Sequence, residues 1–163
     1  RMPRRVFGLL VSAVQSEIFN RVVMRRLHGL STLLPGDLAV LHKNGAVFPA
    51  EDPATEQPRC EAFELSPSGP MPGPEMMVPG GEVLELERSV LAELELDGDE
   101  FDDLPFQLAR GERRPLRLPV GEPSVQERQL PDGPALELSF TLPKGGYATA
   151  VLRELLVDTI WFG

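Results

Sequence analysis

An α+β fold is what this sequence predicts, on three observations. Apolar residues recur every four positions over residues 4–28, the mark of a helix. Residues 135–142 alternate apolar with polar, the mark of a half-buried strand. The 17 Pro and 15 Gly among 163 residues cut the remainder into short elements joined by many loops. With 42% apolar and 25% charged residues the chain has ordinary globular composition and enough apolar material for a core. Its length suits one domain or a small pair.

The first helix rests on Val6, Leu10, Val14, Ile18 and Val22, with Phe7, Val11, Phe19, Val23 and Leu27 beside them. Pro3 suits its first turn and Gly29 the position just past its end. Glu17, Arg21 and Arg25 make an i, i+4 ladder with the acid first. So apolar a helix must be covered on several sides. Residues 37–42 are the next strand, and Asn44-Gly45 turns it into a hairpin returning through Ala46, Val47 and Phe48, with Pro49 as its end. Residues 49–59 read as a loop with at most one helical turn, and residues 62–65 as a short strand. The run from Ser66 to Pro74 holds four prolines, so it is expected to be neither helix nor sheet: a rigid loop covering a sheet edge, or a substrate lid. Residues 81–96 return to helix through Val83, Leu84, Leu86, Val90, Leu91 and Leu94. Strands follow at 116–120, 125–130 and 135–142, the last two joined at Pro131-Asp132-Gly133, and a final helix spans 147–157.

The net charge of −9 is unevenly spread. Residues 1–28 carry six Arg and one Glu, residues 51–104 carry sixteen acids and two Arg, and residues 105–128 return to an excess of base. Fourteen of the sixteen basic residues are Arg, whose planar fork suits phosphate and carboxylate. Two readings follow: solvated charge, or two basic patches flanking an acidic insert and facing an anion such as RNA. The single Cys60 rules out an intrachain disulfide and fits a reducing, cytoplasmic setting. One Cys and two His leave little for a zinc site, and the acids of residues 93–103 lack the ligand order of a calcium loop. No metal site is expected. No uninterrupted run of about 18 apolar residues occurs, so no membrane partner is expected. Gly145-Gly146 stands where a strand passes into a helix; it is a tight turn or an anion nest. Thr149 and Arg153 share one face of that helix, and Arg153 is expected to pair with an acid such as Glu154 or with a phosphate. No nucleophile–base pair can be assembled.

Three stretches together resemble the TruD family of tRNA pseudouridine synthases. The most specific runs from Phe140 to Leu155, with Leu142, Pro143, Gly145, Gly146, Tyr147, Ala148, Thr149, Arg153 and Glu154 matching the family's strand, turn and helix. The second is Ser12-Ala-Val-Gln-Ser-Glu-Ile-Phe-Asn20. The third is Gly36-Asp37 with its hairpin and the Glu64–Gly73 run, joined by Gly111-Glu112-Arg113-Arg114-Pro115, which is similar to the TRUD insertion domain.

The resemblance implies two lobes. Residues 1–29 and 131–163 would form part of a pseudouridine-synthase catalytic domain, and residues 30–130 the TRUD insertion domain. It implies a cofactor-independent isomerase that converts a uridine of tRNA to pseudouridine, with the target base out of its stack. The family's catalytic Asp lies in a Gly-x-Lys-Asp-type motif that is not found here, nor is the Asn-Tyr-Phe-Gly-type motif that follows it. The chain, which begins with Arg1, is therefore expected to be a piece of something larger, without a catalytic residue of its own and inactive alone. Gln15, Ser16, Asn20, Gly146, Tyr147, Ala148, Thr149, Arg153 and Glu154 are expected to shape the active-site wall. Arg21, Arg25, Arg26, Arg113, Arg114, Arg117 and Lys144 are expected to hold RNA, with Arg21 pairing with Glu17 as the plainer alternative. The helix 4–28 is expected to pack with strand 135–142, leaving an apolar patch and a tendency to self-associate. The competing functions are a non-catalytic module for structured RNA and a protein-interaction domain using the acidic face.

Overall fold

The computed structural model describes residues 3–105, 108–143 and 145–155. The mixed helices and antiparallel sheets make an α+β fold, in two compact units, residues 1–117 and 118–163.

The first unit is built on a four-stranded antiparallel sheet of order β2-β1-β3-β4, formed by β1 (Leu38–Leu41), β2 (Val47–Pro49), β3 (Leu65–Met71) and β4 (Glu112–Pro115). Helices α1 (Arg4–Arg25), α2 (Pro53–Glu61) and α3 (Gly81–Glu93) accompany it. The buried stripe of α1 is Val11, Gln15, Ile18 and Val22. It is β3 and α3 that cover this stripe. Val11, Ile18 and Val22 pack in one core cluster with Val90 of α3, Phe101 and Ala109. A second cluster, Leu33, Ala39, Ala50, Cys60 and Leu65, lies at β1, α2 and the start of β3.

The proline-rich run is the main departure from expectation. Residues 65–71 form the inner strand β3, buried along its whole length. The missing donors are placed where they cost little. The Pro67 carbonyl accepts from the Leu116 N–H, so Pro67 faces β4 at the last rung of that ladder. Pro70 faces the opposite way, and the pairing with β1 covers only residues 65–67. Gly69 lets Phe19 of α1 lie against the strand: a Cβ there would stand 2.9 Å from the Phe19 ring.

Other boundaries also move. Asp52 accepts the Ala54 N–H and Pro53 opens the first turn, so residues 53–61 make a nine-residue helix where a loop was expected. Asn44-Gly45 does reverse the chain, but within a longer connection in which only Gly45 has positive φ and Asn44 caps the Ala46 N–H. The strand expected at 116–120 lies instead at 112–115, with Leu116 adding one last bond to β3. Helix α1, with a mean hydropathy of 1.3 over its most apolar window, is long and apolar enough to cross a membrane by length and composition. The exclusion drawn from uninterrupted apolar runs therefore does not hold; what α1 does here is cover β3 and α3.

The second unit is a two-stranded ribbon, β5 (Gly121–Leu130) and β6 (Gly133–Thr141), followed by α4 (Ala148–Leu155). Pro131 and Asp132 form the turn, and Leu130 pairs with Gly133. No described residue of this unit is buried.

Candidate nucleic-acid interface

Two of the arginines expected to hold RNA are core residues. Arg26 continues the stripe of Ile18 and Val22 by one turn and has a side chain only 2% exposed. Its fork donates to both Asp37 oxygens, at 2.6 and 2.9 Å, and to the Thr32 carbonyl. Asp37 in turn accepts the Leu34 N–H. Arg113 is held the same way, donating to Glu87 at 2.6 and 3.0 Å and to the Ser68 hydroxyl and carbonyl. Burial pushes the Glu87 carboxyl up from the ordinary range, against the pull of Arg113. Both forks are engaged by buried carboxylates, and a charge this deep must be paired. Arg117 is half-buried and donates to the Cys60 and Leu65 carbonyls and the Ser66 hydroxyl.

Gln15 is also structural. Its amide donates to the Pro72 carbonyl at 2.6 Å and is buried, tying α1 to the end of β3. Beside it the surface is polar: Ser16 is half-buried and Asn20 exposed. Arg114 lays its guanidinium over the Phe19 ring, 5.4 Å from the centroid, with Glu112 3.9 Å away. A guanidinium stacked by its face keeps its N–H edge for a phosphate. Arg21 pairs with Glu17 at 2.7 Å and Arg25 with Glu93; all four side chains are 42–51% exposed. Such pairs are worth little, and a polyanion can compete for their cations. The structure thus brings Ser16, Asn20, Arg21, Arg25 and Arg114 to the outside of the first unit, on or against α1.

In the second unit Gly145 takes φ of 91°, and the Gly146 N–H bonds to the Pro143 carbonyl. A Cβ on Gly146 would press on Leu142, Pro143 and Leu118, so this position needs glycine for space. Tyr147 is 69% exposed, and Ala148, Thr149, Arg153 and Glu154 are exposed along α4. Lys144 lies outside the described residues.

Sequence reasoning passed over Asp37 and Glu87 as partners. Glu87 stands between Val83 and Val90 on the buried stripe of α3, and an acid in an apolar stripe signals a buried pair.

A family model described as tRNA pseudouridine synthase D (TruD) matches residues 1–155. The tRNA pseudouridine synthase D of Geobacter metallireducens is 52% identical over 153 residues, 93% of this chain and 37% of that protein. That of a Thermus thermophilus strain is 41% identical over 149 residues, 90% of this chain and 39% of that protein. A crystal structure from Methanosarcina mazei, assigned to tRNA pseudouridine synthase D, has a TM-score of 0.72 at 27% identity, covering 94% of this chain and 38% of its own. The chain spans less than two fifths of the length of these relatives. A match over nearly the whole chain, on the fold described above, makes it a member of the TruD family of tRNA pseudouridine synthases.

Proposed function

We propose that this chain serves the isomerisation of a tRNA uridine to pseudouridine by holding the RNA, and that the catalytic Asp is supplied from outside its 163 residues. The observation that carries this reading is the family match over residues 1–155, supported by 52% identity to a relative whose name states that activity. The chemistry cleaves the glycosidic bond and rejoins uracil through carbon, with the base turned out of its stack and the RNA gripped by its backbone. Arg114, Arg21 and Arg25 are the phosphate-facing set of the first unit, with Asn20 and Ser16 supplying hydrogen bonds beside them. In the second unit Gly146, Tyr147, Ala148, Thr149, Arg153 and Glu154 belong to the wall of the uridine site. No cofactor enters this reaction.

Two measurements test the reading. Filter binding of unmodified tRNA at several salt concentrations should show Arg114→Glu and Arg21→Glu/Arg25→Glu weakening affinity. The salt slope should flatten by about one for each phosphate no longer neutralised. An unchanged slope in both variants rejects the RNA-holding role. A pseudouridine assay on the chain alone should give no product, and robust product would place the carboxylate within it.

A further inference from the structure

Arg117 is the last residue of the first compact unit, and its side chain is unusually well held for such a position. Its Nη2 reaches the Cys60 carbonyl at 2.8 Å, with the Leu65 carbonyl at 3.3 Å. The guanidinium carbon lies 4.5 Å from the centroid of the Phe63 ring. Phe63 has φ of 62°, a left-handed conformation that a bulky side chain adopts only when its surroundings impose it. The His42 ring stacks on Phe63 at 4.9 Å and 17°.

Ser66 joins the two ends of this stack. It is fully buried, its Oγ accepts the Arg117 Nε–H at 3.2 Å, and it lies 2.8 Å from His42 Nε2. An arginine only donates, so the Ser66 hydroxyl hydrogen is left for another acceptor. His42 Nε2 fits that part when the imidazole is neutral with its proton on Nδ1. A proton on Nε2 would turn the bond round. Two donors would then converge on one oxygen, the hydroxyl hydrogen would lose this acceptor, and a second cation would stand beside Arg117.

We propose that Arg117, Phe63, Ser66 and His42 form a latch that fixes the chain where it leaves the first unit, and that protonation of His42 releases it. The groups around His42 are few. β3 presents Ser66, and just before that strand stands Glu64, whose carboxylate is held by Arg59 of α2. α2 presents Cys60, a thiol that burial pushes up and keeps neutral. Lys43 is the chain neighbour, and Arg117 follows β4. Burial and then Arg117 hold the imidazole below its ordinary 6.5. A histidine lowered in the folded state stabilises it above the unfolded value, and that stability is lost as pH falls through the folded value.

Hydrogen exchange of the chain at pH 7.5, 6.5 and 5.5, corrected for intrinsic rates, tests this. Protection of the Leu116 amide, which bonds the Pro67 carbonyl, should fall toward pH 5.5, by up to about tenfold for each pH unit by which the latch lowers the histidine. Residues 83–90 of α3 should keep theirs. His42→Gln, whose carbonyl accepts the Ser66 hydroxyl without titrating, should keep protection at every pH. Arg117→Lys, a point charge without the fork, should lose protection at every pH. A flat wild-type profile, or a pH step that survives in His42→Gln, overturns the latch. A proton NMR titration of His42 in wild type and Arg117→Met is independent of any His42 variant: the midpoint should rise in Arg117→Met, and an unchanged midpoint overturns the proposal.

Discussion

Replacing Arg113 by Met keeps most of the apolar volume and removes the fork. The Arg113 side chain is 1% exposed and that of Glu87 5%, so the carboxylate is left in the core with neither water nor cation. Four donated hydrogen bonds vanish together, two to Glu87 and two to Ser68. Breaking a buried pair from one side costs about 3–5 kcal/mol. At a urea slope of about 2 kcal/mol per molar, the unfolding midpoint should fall by about 2 M. The pH dependence gives the direction of the cause. Burial already raises the Glu87 carboxyl, and losing Arg113 raises it further. An acid raised in the folded state favours folding at low pH, and that advantage is lost as pH rises through the folded value. The deficit of Arg113→Met against wild type should therefore shrink between pH 7 and pH 5. Adding Glu87→Leu should restore stability to within about 1 kcal/mol of wild type, because a well-packed apolar pair needs no compensation. Urea melts of the four proteins at both pH values decide it. A cost below about 1 kcal/mol for Arg113→Met, or a double variant as unstable as the sum of the two single ones, would refute the reasoning.

Gly69→Ala should cost about 1–3 kcal/mol by thermal melt, because the new methyl meets the Phe19 ring at 2.9 Å and Leu116 at 3.1 Å and must push α1 off β3. Gly36→Ala should abolish soluble expression, since φ is 92° and the Cβ overlaps the Gly80 carbonyl. Gly45→Ala, at φ of 72° with open space around it, should cost only the backbone term of about 1–2 kcal/mol in the same melts. Leu9 and Leu10 of α1 are 71% and 49% exposed, with Val6 and Val14 bared beside them. Leu9→Glu/Leu10→Glu should lower self-association in sedimentation velocity without changing the circular dichroism.

Periodicity makes α1, α3 and the β5–β6 ribbon legible, because each repeats one pattern for two turns or more. It fails at β3, where the strand is recognised by what its neighbours offer. Pro67 and Pro70 are tolerable only because one sits on a final rung and the other beyond the end of β1, and that depends on partners remote in sequence. The arginines mislead for a different reason. Counted as charge, Arg26 and Arg113 look like Arg21 and Arg114. Counted as positions, Arg26 falls on the stripe 11, 15, 18, 22, which is a signal of burial available without coordinates. Arg113 carries no such mark, since its four-residue strand is too short to display an alternation. Tyr147, Thr149 and the Gly145-Gly146 turn are placed by motif, and only their local geometry can be read from physics.

The composition of β3 has a consequence for the unfolded chain. The innermost strand of a sheet is commonly a β-branched apolar run, the kind of segment that stacks into cross-β fibres when exposed. Here it reads Leu-Ser-Pro-Ser-Gly-Pro-Met. Two prolines in seven residues deny a growing fibril its ladder of donors, and serine and glycine give a steric zipper little to interdigitate. A ribosome-bound or heat-shocked chain can therefore expose this segment at little risk, because the residues that demand so particular a native setting make it a poor template for any other.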